Sequence, residues 1–239
     1  MSNTFRKYSQ CFQKEVVVMA SAGKMIAFVN LKGGVGKSTF AGHLTWWLHV
    51  RGKKVALVDT DLQRSSSIWM QRANKDIPVF AFQDAKQFIK EVSPLREEFE
   101  MLVVDGPGGI EEFTLRILLM ADLALVLCLP SAFDLRASDA AIQVIKQAQI
   151  VRETGKPQAL FLANRVQART RLSTELLTTA QQIGIPMVKT AIHMRQVYAD
   201  APGQDTTVFA MGSRGKEAVD ELEIVFTEVM GHGSTENVG

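Results

Sequence analysis

Residues 29–39 read VNLKGGVGKST, and the reading of this stretch decides the fold. It follows an apolar segment, MIAFVN (25–30), and runs into KSTFAGHLTWWLHVRG, whose apolar residues Phe40, Leu44, Trp47 and Leu48 recur at helical spacing before Gly52 stops the helix. A glycine-rich turn between a strand and a helix can fold its backbone N–H groups inward around phosphate oxygens. The helix N-terminus adds a partial positive charge at the same point. Lys37 would reach the β- and γ-phosphates, and the Ser38 hydroxyl would ligate Mg²⁺. The strict pattern G-x-x-x-x-G-K-[ST] is broken, because Leu31 stands at its first glycine. A second lysine, Lys32, precedes the paired glycines and calls for an explanation.

Working outward, short apolar runs rich in Val, Ile and Leu recur at KVALVD (54–59), PVFAF (78–82), EMLVVD (100–105), LALVLCL (123–129), ALFLAN (159–164) and MVKTAI (187–192). Their apolarity is continuous rather than alternating, as expected of strands covered on both faces. Segments such as SDAAIQVIKQAQIVRET lie between them with helical periodicity. The alternation predicts an α/β fold: three layers, a mostly parallel twisted sheet with helices on both faces, which the glycine-lysine loop makes resemble the P-loop NTPase type. Such sheets bind ligands at the carboxyl ends of their strands. Asn30, Asp59, Asp105 and Asn164 each close an apolar run and so point to one rim.

The chain has 239 residues, 46% of them hydrophobic, enough for one sizeable core. We expect a flexible extension over 1–24, one domain over 25–232 and a flexible tail over 233–239. The formal net charge of +2 provides no global field toward nucleic acid or membrane, so such binding needs a local patch. Cys11 and Cys128 share no metal-ligand spacing and indicate no disulfide framework, which suits a reducing cytosol. No apolar run approaches the roughly 20 residues of a spanning helix, and VVVMA is too short for a convincing signal peptide. His43 and His49 read as solvent-facing or packed rather than catalytic, and the Trp46–Trp47 pair reads as packing.

KGGVGKST resembles the deviant Walker A motif of ParA/MinD-type ATPases, whose mark is a lysine at the position of Lys32. DTDLQ (59–63), LVVDGPGG (102–109) and LANR (162–165) are similar, in order, to that family's second motif, its Walker B strand with switch loop, and its adenine-reading strand end. The resemblance runs from about Met25 to Met230. It implies a homodimer with two ATP molecules sandwiched at the interface, bound by Lys32, Gly33, Gly34, Val35, Gly36, Lys37, Ser38 and Thr39. Lys32 would cross to the partner's nucleotide, as an arginine finger does, which ties hydrolysis to dimerisation. By the same resemblance Asp61 positions or activates the attacking water, and Asp59 supports the shell of Mg²⁺ while Asp105 holds it through water. Gly106, Pro107, Gly108 and Gly109 sense the γ-phosphate, and Asn164 hydrogen-bonds the adenine edge or merely turns the chain. Many family members carry Thr where this chain has Gly106.

Family members use the ATP dimer as a timer on a surface, either nonspecific DNA or membrane. From Glu217 to Gly239 there is no Lys or Arg, and EAVDELEIVFTEVM is acidic, which argues against a basic membrane-binding helix. Positive charge gathers instead at Arg165, Arg169 and Arg171, at Arg195, and at Arg214 and Lys216. Of these, Arg195 and Arg214 lie in segments similar to DNA-contacting ones of partition relatives. The resemblance therefore implies a cytoplasmic, nucleoid-associated ATPase released by a ParB-like or other adaptor, positioning a plasmid, chromosome or protein organelle. A MinD-like membrane regulator is the alternative. Cysteine placement excludes a shared electron-transfer cluster, and with only Tyr8 and Tyr198 there is no tyrosine-rich kinase tail.

Overall fold

The computed structural model describes residues 23–109, 111–130, 132–167 and 184–232, with the side chains of 132–137 left aside. The expected extension, apart from Gly23 and Lys24, and the expected tail lie outside the described residues, as do Arg169 and Arg171.

Strands β1 (Lys24–Val29), β2 (Val55–Asp59), β3 (Val79–Ala81), β4 (Met101–Asp105), β5 (Leu123–Cys128) and β6 (Gln158–Ala163) form one sheet in the order β3-β2-β4-β1-β5-β6. Every neighbouring pair is parallel. Helices α1 (Lys37–His49), α2 (Ser65–Ala73), α3 (Ala85–Glu98), α4 (Glu111–Leu118), α5 (Ala132–Arg152), α6 (Val197–Gly203) and α7 (Lys216–His232) connect and cover it. Two 3₁₀ turns, Val208–Ala210 and Gly212–Arg214, lead into α7.

Strand periodicity divides the core. Met25, Ala27 and Val29 pack with Phe88, Val92, Phe113, Ile117 and Ile145 of α3–α5 on one face. Ile26 and Phe28 pack with Phe40, Leu44, Trp69, Val225 and Phe226 of α1, α2 and α7 on the other. β1, β2, β4 and β5 are buried on both faces, which is why they read as unbroken apolar runs.

One expected strand is corrected. Residues 187–192 make no ladder strand; the segment touches β6 and its extension through isolated bridges at Phe161–Met187 and Val166–His193. Between the bridges the Val188 and Ile192 N–H groups donate to the Phe161 and Ala163 carbonyls, each at 2.8 Å, without a continuous ladder, and the Lys189 N–H donates to Glu228 Oε1 of α7 at 2.7 Å. β3 is also shorter than the 78–82 expected from sequence.

Chain order reverses beside β1: α1 leads to β2 on one side, whereas β5 lies on the other. The crevice above this reversal is where open parallel sheets hold ligands, and the phosphate loop occupies it.

Candidate functional site

The loop between β1 and α1 is shaped from both ends. Asn30 Nδ2 donates to the Leu127 carbonyl at 2.7 Å, and its Oδ1 accepts the Lys32 N–H at 2.9 Å. The loop's start is thus pinned to β5. Gly34 (φ 75°) and Gly36 (φ 103°) take left-handed backbone conformations that a side chain would strain. At Gly36 an added Cβ would also meet Asn164 Nδ2 at 2.6 Å. No acidic residue occupies the first turn of α1, so the helix itself leaves its positive end open.

The two lysines differ sharply. Lys37 is buried, its Nζ 3.4 Å from the Lys32 carbonyl, whereas the Lys32 side chain stands exposed on the rim. Burial lowers the Lys37 pKa, and the nearby Asp105 and Asp61 carboxylates partly restore it.

Three carboxylates gather beside the loop. Asp59 and Asp105 are register partners across β2 and β4. Asp59 accepts the Asp61 N–H at 3.0 Å and the Ser67 N–H at 2.8 Å. Asp61 accepts the Gln63 N–H at 2.9 Å and the Gly108 N–H at 3.0 Å. Asp105 is the exception: it is fully buried, yet neither carboxylate oxygen has a hydrogen-bond partner. Burial, and then the charge of Asp59, push its pKa up to about 7. The Ser38 and Ser66 hydroxyls and Lys37 face it and draw it partway back, without closing a bond of good geometry. A buried carboxylate left unpartnered beside a serine hydroxyl is the donor set of a hard divalent cation, which needs few protein ligands.

Structure therefore brings Lys37, Ser38, Asp59, Asp61, Asp105 and the 106–109 loop together at one rim. Asn164 is also there and buried, but its Nδ2 donates to the Val35 carbonyl at 2.7 Å, so it clamps the phosphate loop. Gly106 has a steric cause: its N–H donates to the Phe28 carbonyl at 3.0 Å, and a Cβ there would lie 2.5 Å from the same oxygen. The basic residues divide. Arg165 and Lys216 are exposed, Arg195 is paired with Glu217 and lies 3.7 Å from Glu221, and Arg214 pairs with Asp200 at 3.0 Å. Thr60, not singled out in the sequence, ties β2 to β4 through a 2.7 Å bond to the Asp105 carbonyl. A cavity lined by Lys24, Met101, Asp122 and Lys156 opens at the opposite, amino-terminal end of the sheet, away from the phosphate loop.

A parallel sheet with a glycine loop, a buried lysine and paired strand-end aspartates on one rim defines a P-loop nucleotide-binding protein. Residues 26–208 match the CobQ/CobB/MinD/ParA nucleotide-binding domain. The chain belongs to this family, the ParA/MinD type of ATPases. It is 30% identical over 210 residues to "Maintenance of carboxysome distribution protein A" of Halothiobacillus neapolitanus, covering 86% of this chain and 95% of that one. Among solved structures, an ATP complex of a Cyanothece McdA variant superposes with a TM-score of 0.69 at 14% identity, over 92% of this chain and 100% of that one. MinD of Pyrococcus horikoshii with Mg-ADP superposes with a TM-score of 0.64 at 18% identity, over 89% and 99% of the two chains. At such identities the superpositions speak to fold. Among the described residues no helix is long and apolar enough to cross a membrane.

Proposed function

We propose that this chain is a ParA-type positioning ATPase whose ATP-bound form is a face-to-face homodimer that rests on nonspecific DNA. The observation that carries the reading is the division between the two lysines of one loop: Lys37 is buried toward the carboxylates and Lys32 is exposed on the rim. This exposure supports the reading that Lys32 serves the nucleotide of a second copy. The relative named for carboxysome distribution supports positioning as the output, with a protein organelle, plasmid or chromosome as cargo.

In this reading the loop N–H groups of residues 33–39 and Lys37 bind the phosphates. Ser38 and Asp105 would hold Mg²⁺, with Asp59 supporting them, and the ion would supply positive charge against the phosphates. Asp61 orients the attacking water and accepts its proton. Lys32 of the second copy stabilises the charge that develops on the transferred phosphoryl group. The 106–109 loop answers to the γ-phosphate through its backbone N–H groups, and Asn164 faces the base while holding Val35. Arg165, Arg195, Arg214 and Lys216, doubled in the dimer, neutralise DNA phosphates without reading sequence. An adaptor of ParB-like role triggers hydrolysis and release, so that the protein is nucleoid-associated and cytoplasmic.

The test is co-sedimentation with nonspecific duplex DNA alongside light scattering, each with Mg-ATP, Mg-ADP or no nucleotide. The expected result is a doubled mass and DNA retention with ATP alone, the retention falling steeply with salt. A monomer in all three states removes the sandwich dimer. A dimer that ignores DNA but sediments with anionic vesicles moves the output to the MinD-like alternative.

A further inference from the structure

His43 sits one turn into α1, fully buried, with both ring nitrogens committed. Its Nδ1–H donates to the Thr39 carbonyl at 2.7 Å, and its Nε2 accepts the Val208 N–H at 3.2 Å. A carbonyl can only accept and an N–H can only donate, so these partners fix one neutral tautomer. Burial pushes the imidazole pKa down to about 4, which keeps the ring neutral at physiological pH.

The ring is also the hub of an aromatic cluster. It lies 5.0 Å from Trp69 and 5.9 Å, edge-on, from Tyr198. Trp69 packs against Gly42, where an added Cβ would fall 2.4 Å from the indole. The indole Nε1–H donates to the Thr206 carbonyl at 2.8 Å, and the Tyr198 hydroxyl donates to Glu221 at 2.9 Å. Glu221 in turn lies 2.6 Å from His193 Nδ1 and 3.7 Å from Arg195.

Two routes therefore run from the nucleotide rim into one ring. The first is covalent and helical, from Thr39 of the phosphate loop to His43. The second starts at Asp59, which binds the Ser67 N–H two residues before Trp69. Both leave the ring toward residues 197–221, the segment that carries Arg214 and, in Glu217 and Glu221, the carboxylates that hold Arg195. Close-packed interiors shift between discrete arrangements rather than flexing, so a displacement of the first turn of α1 reaches this segment through contacts that have little slack.

We propose that His43 is a positioning residue that couples the phosphate loop to the 197–221 segment, so that nucleotide binding resets the surface carrying Arg195. The proposal deepens the function above and rests on it for what that surface binds. It does not depend on DNA for its own test.

That test is amide hydrogen exchange of the full chain with and without Mg-ATP. In the wild type, exchange across 204–222 changes by about threefold or more when nucleotide binds. The variant His43→Phe keeps the ring's bulk but offers Val208 no acceptor. It retains ATP affinity within about threefold while the response of 204–222 disappears. The variant His43→Gln, whose amide oxygen accepts the Val208 N–H, restores the response. Tyr198→Phe, which removes the hydroxyl that meets Glu221 and the Ala218 carbonyl, loses the response at 217–222 and keeps it at 204–211; it serves if His43→Phe fails to fold. A wild-type segment indifferent to ATP, or His43→Phe and Tyr198→Phe variants that respond like the wild type, overturns the proposal. A wild type that shows the exchange response yet never binds DNA overturns the DNA reading instead.

Discussion

The Gly108 N–H donates to Asp61 Oδ2 at 3.0 Å, joining the loop after β4 to the carboxylate that follows β2. In the proposed mechanism this carboxylate has two duties, holding Gly108 and taking a proton from water. A γ-phosphate that draws the Gly108 N–H to itself frees Asp61 at the moment it is needed. Asp61→Asn keeps a carbonyl oxygen for Gly108 but removes the base. We expect kcat to fall by about 10²–10⁴-fold with ATP affinity within a few-fold, read by single-turnover hydrolysis. Hydrolysis at the wild-type rate removes Asp61 from the mechanism.

Lys32→Ala separates binding from dimerisation. Lys37 and the loop N–H groups are untouched, so each copy still binds ATP. The charge offered to the second copy is gone, and the ATP-dependent dimer should be lost together with about 10³-fold or more of the hydrolysis rate. Light scattering with Mg-ATP checks the mass, and a variant that still doubles its mass returns Lys32 to the role of a solvated loop charge.

Asp105 makes the nucleotide-free protein pH-sensitive. Burial and the charge of Asp59 raise its folded pKa to about 7 from an ordinary value of 3.8. The folded state therefore favours the protonated form. Its stabilising effect is complete below pH ~4 and is lost as pH rises to about 7. Asp105→Asn carries no such charge, so its melting temperature should exceed that of the wild type by a margin that widens between those pH values. Above pH 7 the margin corresponds to on the order of 2 kcal/mol. The same variant should lose Mg²⁺-dependent hydrolysis. A margin constant across pH refutes the account.

The rim was legible because buried parallel strands read as unbroken apolarity, so the residues that interrupt them, Asn30, Asp59, Asp105 and Asn164, mark the strand ends. The phosphate loop was legible for a similar reason, since Gly34 and Gly36 do what other residues cannot. What escaped the sequence depends on partners distant in the chain. Residues 187–192 are as apolar as a strand, yet they meet β6 only at intervals, through the Val188 and Ile192 N–H groups, while the Lys189 N–H turns to Glu228 of α7. The Asn164 contact with Val35 spans 129 residues and that of His43 with Val208 spans 165, and neither leaves a local pattern.

Gly106→Thr tests whether the family's more usual residue could stand here. The Cβ would meet the Phe28 carbonyl at 2.5 Å, and that oxygen already accepts the Gly106 N–H in the middle of the sheet. Backbone on both sides cannot give way cheaply, so we expect a loss of about 1–3 kcal/mol in chemical denaturation. A neutral substitution means that the loop after β4 moves aside freely.

The last prediction concerns the ion pairs that hold the basic surface. Arg195 is paired with Glu217, and Glu217 is exposed on the first turn of α7. If DNA phosphates take Arg195, they must displace that carboxylate, which also repels them. Glu217→Gln removes both obstacles while leaving Glu221 to orient the guanidinium. ATP-dependent DNA affinity should rise by about two- to fivefold at low salt, and the gain should shrink as salt screens the surface. Arg214→Ala combined with Lys216→Ala should weaken binding on every sequence alike and flatten the salt dependence. If Glu217→Gln leaves DNA binding unchanged while the double variant abolishes it, the DNA face lies with Arg214 and Lys216, and Arg195 belongs to the packing of α7.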